Sequence, residues 1–68
     1  MYDKDAFLAK MSELGMTITT ISNLSGISYK ALYPKVHGDR EWTLDQIERT
    51  SAAMRLSHAD KVRIFMPR

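Results

Sequence analysis

Between Thr17 and Val36 one glycine, Gly26, falls inside what is otherwise a helical pattern of apolar residues. No other position constrains the fold as much. Glycine adopts positive φ without steric cost and is poor in a helix interior, so a helix opened by Thr17 must stop there and the chain must turn. Ser28 follows two residues later and is a good N-cap, so a second helix starts at once. The pattern predicts helices over about 18–24 and 28–36 that cross at the glycine. Ile21 and Leu24 mark the inner face of the first, and Ala31 and Leu32 that of the second. Ile27 plugs the turn into the core.

The rest of the chain reads the same way. Phe7, Leu8, Met11 and Leu14 form one apolar stripe on a helix over about 4–14, with Asp3 or Asp5 at its start and Gly15 at its stop. "HGDR" is a loop. In "TLDQ", Thr43 and Gln46 have the spacing of a capping box and open a helix over about 44–54 that buries Leu44, Ile47, Ser51 and Met54. "SHAD" repeats the device with Ser57 and Asp60 before a helix over about 58–66, which offers Val62, Ile64 and Phe65 to the core. No segment alternates strictly, so strands are not expected. The expectation is an all-α, compact five-helix domain spanning 1–68.

Composition narrows the function. A chain of 68 residues has room for one small domain, and 44% hydrophobic residues suffice for a core. With no cysteine, disulfides and thiolate metal sites are excluded and a cytoplasmic home is the simplest expectation. No apolar run approaches the roughly 20 residues of a membrane span, and "MYDKDAF" is not a signal peptide. His37 and His58 lack metal-ligand spacing with the carboxylates, and no glycine-rich phosphate loop exists. Neither an enzyme, a cofactor, a metal nor a small-molecule substrate is expected. The net charge is +2, and its densest positive stretch is 28–40, where Lys30, Lys35 and Arg40 face only Asp39. A basic stretch points to a polyanion.

The turn also selects what faces outward. Two short helices joined at a glycine, the second capped by serine, form the unit that places one helix in a DNA major groove. Ser28, Tyr29, Lys30 and Tyr33 remain outward at the start of the second helix and are the candidate base contacts: they donate hydrogen bonds, carry charge or touch a thymine methyl. For Tyr33, stacking on the DNA backbone and covering Trp42 or Met16 are both open.

"MTITTISNLSGISYKALYPKVHG" resembles the helix–turn–helix of Cro-type and phage-repressor regulators, in the order Thr17, Ile21-Ser22, Gly26-Ile27-Ser28. "LYPKVHGDREWTLDQI" and "RLSHADKVRIF" are similar to the later parts of small Cro-like phage and prophage regulators, so the likeness covers roughly 15–66. The resemblance implies a lambda-repressor-like fold and a single DNA-binding domain that represses transcription at a double-stranded operator; a homodimer would pair through the last helix and "IFMPR". It implies phosphate contacts by Thr17, Thr19, Lys35, His37, Arg40 and Thr43, with Thr17 and Thr43 equally readable as caps alone. It also implies a nucleoid-associated location and a core role for Trp42. A protein–protein modulator or antirepressor on the same fold is the alternative; an excisionase-type protein would need a β wing that the sequence lacks.

Three positions depart from the family pattern. Ile18 stands where a phosphate-gripping Gln is common, and Ser22 replaces the usual Ala, which is tolerable if its hydroxyl bonds back to the chain. Pro34 falls inside the second helix, where its ring meets the Lys30 carbonyl and no N–H is available, at a cost of about 3 kcal/mol. That predicts a helix bent or ended near Pro34, with Lys35 re-aimed.

Overall fold

Every helix begins at a side chain that occupies one of its free N–H groups. In the computed structural model, which describes residues 1–67, Asp3, Thr17, Ser28, Thr43 and Ser57 each accept from the backbone N–H three residues on. They open α1 (Lys4–Leu14), α2 (Ile18–Ser25), α3 (Tyr29–Val36), α4 (Leu44–Met54) and α5 (His58–Phe65). No strand occurs among the described residues, so the fold is all-α. The box at Thr43 is complete, since the Gln46 side chain accepts the Thr43 N–H in return. At Ser57 the hydroxyl accepts from the Asp60 N–H, while the Asp60 carboxylate turns to Lys10 and Arg63.

The stops are as local as the starts. Gly15 and Gly26 end α1 and α2 at φ 67° and 76°. Arg55 ends α4 at φ 52°, a left-handed position held by a residue with a Cβ. Such a conformation costs roughly 1–2 kcal/mol outside glycine, and no residue type announces it here.

Phe7, Met11, Ile21, Ile27, Leu32, Val36, Met54, Ile64 and Phe65 are buried together. Each such side chain contributes about 1.5–3 kcal/mol on leaving water. Trp42 belongs with them: its ring lies 5.0 Å from Phe65, 5.7 Å from Phe7 and 5.5 Å from Tyr2, centroid to centroid. Tyr2, just ahead of α1, joins this ring cluster and donates its phenolic hydrogen to the Val36 carbonyl at 3.0 Å. Burial, and then the charge of Asp3, push the Tyr2 phenol far above its ordinary range, so it stays a donor. The Asp3 N–H donates to Ile64 at 2.8 Å. The N-terminal residues thus tie the end of α3 to α5. Ion pairs add α1–α5 (Lys10–Asp60, 3.0 Å) and α4–α5 (Lys61–Glu48) links.

Three leucines read as core lie largely outside it. Leu24 is 60% exposed, because α2 buries Ile21 and Ser25 instead and packs a half-buried Ile18 against the core. A step of three residues from Ile21 rotates Leu24 about 60° off that face, whereas a step of four stays nearer to it. Leu44 (70%) and Leu14 (41%) stand in the first turn of α4 and the last of α1, beyond where each helix meets the core.

Of the two outcomes expected at Pro34, a bend or an end, the end is not found, and α3 keeps close to the expected span of 28–36. α3 continues through Pro34 to Val36, and the His37 N–H still donates to Tyr33 at 3.2 Å. The chain then closes tightly: Gly38 donates to Lys35 and Asp39 to Pro34, at 3.2 and 2.8 Å. Only the Lys30 carbonyl loses a helical donor to the proline, and Lys30 is an exposed residue whose carbonyl can take water.

Candidate functional site

The turn between α2 and α3 is built from serine side chains. Ser22 Oγ donates to the Ile27 carbonyl at 2.6 Å, and the Gly26 N–H donates to the Ser22 carbonyl at 3.0 Å. Ser25 Oγ accepts the Ile27 N–H at 3.2 Å. The condition set for Ser22, a hydroxyl bonded back to the chain, is met. With Ile27, Leu32 and Val36 in the core, the buried side of α3 is fixed and its other side must face out. From α4, the Arg49 guanidinium reaches over the turn, 3.6 Å from where a Cβ on Gly26 would stand, and is held by Asp45 at 3.0 Å.

The outer side of α3 carries two adjoining stripes. Tyr29, Tyr33 and His37 stand four residues apart and touch in sequence, with ring centroids 5.8 and 4.3 Å apart. Tyr29 is 49% and Tyr33 45% exposed, and the ring partners of Tyr33 are Tyr29 and His37 rather than Trp42. Beside them, Lys30 is exposed, and Ser28 is exposed while capping through the Ala31 N–H at 3.2 Å.

Lys30, Lys35 and Arg40 come together around Pro34 in one shallow recess, with Ala31 and Gln46 completing its lining. Three cations and no carboxylate line it. Among the described residues Lys10, Arg49, Lys61 and Arg63 are ion-paired, whereas Lys30, Lys35 and Arg40 are not. Lys35 is not fully free, since its Nζ donates to the Glu41 carbonyl at 3.0 Å and so fixes the loop after α3. Three unneutralised positive charges on one concave patch attract an anion, and Lys35 is the least mobile of them.

The other predicted residues are dispersed. Thr43 caps α4, whose Gln46 lines the recess. Thr17 and Thr19 lie exposed at the start of α2 and line no part of it; Thr17 accepts from the Thr20 N–H at 3.2 Å. His37 is half-buried against Tyr33. Ile18 packs against the core, so that position supplies no polar group to a ligand. Sequence reasoning missed Gln46 as a lining residue and missed Lys4, which shares a second recess with His37 and Arg40. No local signal marks either, because tertiary packing brings them there.

No helix among the described residues is long and apolar enough to cross a membrane. No group of three or more His, Asp or Glu among them is placed to hold a metal ion. No family model, curated protein or solved structure matches the chain.

Proposed function

We propose that the chain is a helix–turn–helix protein that binds duplex DNA and regulates transcription, as a small Cro-like repressor does. One observation carries the proposal most: an exposed Tyr29–Lys30–Tyr33 surface on α3 borders a recess of three unpaired cations, while the opposite side of the helix is core. A single helix anchored on one side and basic and aromatic on the other suits a major groove. Tyr29 and Lys30 read base edges, with Ser28 and Tyr33 beside them. Lys35, Arg40 and the starts of α2 and α4 hold phosphates, which supply affinity but no sequence information. Occupying an operator blocks polymerase or a competing regulator. Two copies on a symmetric site place their α3 helices about 34 Å apart. Phe65 is buried in its own core, so pairing through α5 falls to its outer residues and Met66.

A titration of labelled duplex fragments at two salt concentrations tests this. Affinity falls steeply as salt rises, because neutralised phosphates release counterions. Lys30→Ala reduces discrimination between sites by about 1–3 kcal/mol, whereas Arg40→Ala weakens all sites alike. Binding that ignores salt, or is unchanged in both variants, rejects the proposal. The two exposed tyrosines favour one rival, a protein partner on the same face, since tyrosine and arginine are enriched in protein interfaces. Absence of DNA binding together with partner binding lost in Tyr29→Ala selects that rival.

A further inference from the structure

The described surface holds a further concave patch, to which α3 contributes nothing. The end of α1, the link to α2, the end of α2 and the last turns of α4 enclose a groove, among whose lining residues are Leu14, Met16, Leu24, Ala53, Arg49 and Arg55. Its apolar walls are open to water: Leu24 is 60% and Leu14 41% exposed. Its charge is of one sign. Arg49 and Arg55 line it with no carboxylate. Arg55 has no ion-pair partner among the described residues, and Arg49 is shared only with Asp45, itself 73% exposed. An exposed pair of that kind contributes little and exchanges easily.

We propose that this groove docks an acidic amphipathic helix of a partner protein. The leucine walls take the apolar stripe of such a helix, presented at i, i+3, i+4 and i+7. The two guanidinium groups lining the groove take carboxylates flanking that stripe, in the bidentate geometry that arginine forms and lysine does not. Charge also argues against a second copy of this chain. A two-fold contact sets the same patch against itself and would bring Arg49 and Arg55 toward their own counterparts. Duplex DNA satisfies the arginines but leaves the leucines in water. The groove shares no residue with the Lys30–Arg40 recess, so it stands or falls independently of DNA binding.

The test uses the full chain and a labelled synthetic helical peptide, with leucines on one stripe and glutamates beside it. A second peptide carries lysine at every glutamate. Leu24→Ser removes an exposed side chain, and Arg55→Gly removes a charge at a left-handed position that glycine prefers, so both variants stay folded, as thermal melting verifies. The glutamate peptide raises anisotropy on binding, the lysine peptide does not, and each variant weakens binding about tenfold or more, as expected for loss of a central contact. Amide shifts on titration fall on the lining residues. Equal binding of both peptides, no binding of either, or unchanged binding in the two variants overturns the proposal. Sedimentation showing self-association that Leu24→Ser abolishes overturns it too, by assigning the groove to a second copy.

Discussion

Pro34→Ala should make the protein more stable by about 2 kcal/mol. Proline is roughly 3 kcal/mol worse than alanine in a helix interior, because the i−4 carbonyl loses its donor and meets the ring. Here that carbonyl belongs to Lys30, and α3 runs through the proline with two helical residues after it, so the penalty is borne by an intact helix. Part is offset. The ring is half-buried beside Lys30, Lys35, Arg40 and Gln46, and alanine forfeits some of that contact, worth about 1 kcal/mol at ~25 cal/mol per Å². For a domain of this size 2 kcal/mol raises the melting temperature by about 8–16 °C. Urea denaturation followed by far-UV circular dichroism and by Trp42 fluorescence measures it, and coincident transitions license two-state treatment. Native helix content should not rise, since α3 already reaches Val36. An unchanged or lower midpoint would refute the reasoning and show that the ring's packing outweighs the missing bond.

Ser22→Ala should destabilise by about 1 kcal/mol, the net worth of a hydrogen bond, less a few tenths recovered because alanine is the better helix former. The Ile27 carbonyl it abandons belongs to a buried residue, so a variant as stable as the parent would mean that the 2.6 Å bond contributes nothing. The Lys10–Asp60 link should make stability depend on pH at both ends of the scale. Hydrogen bonding to Lys10, above all, holds the Asp60 carboxyl below its usual range, so its contribution is complete above ordinary carboxylate values and lost as pH falls through the lowered one. Asp60, and then Glu13, hold the Lys10 amine above its usual range, so that contribution is complete below ordinary lysine values and lost as pH rises through the raised one. Asp60→Asn should flatten the acid limb of the urea midpoint against pH; equal slopes in parent and variant would exclude the link as its source.

The helix frame was legible in the sequence because its signals are local. Asp3, Thr17, Ser28, Thr43 and Ser57 sit where caps were read, and Gly15 and Gly26 where the stops were. A cap needs only its own next turn, so nothing distant overrides it. The failures are all tertiary. Whether Leu24 or Ser25 completes the inner face of α2 depends on the angle at which α4 crosses, which no window of residues contains. An end at Pro34, one of the two outcomes propensity allows, does not occur, because a helix fixed by Leu32 and Val36 in the core absorbs one missing bond. At the candidate site the outward exposure of Tyr29 and Lys30 followed from the glycine turn. The gathering of Lys30, Lys35 and Arg40 around one proline did not, because it depends on the loop that Lys35 draws in through Glu41.

Tyr2 and Asp3 precede the first helix, yet they hold the end of α3 and the backbone of α5. Met1 is 97% exposed, so an affinity tag or reporter spliced upstream has an open exit. Trimming the chain to the start of α1 has the opposite effect. It strips a phenol from the end of a helix 34 residues further along the chain, and a shortened version made for crystallisation would test a loosened α3.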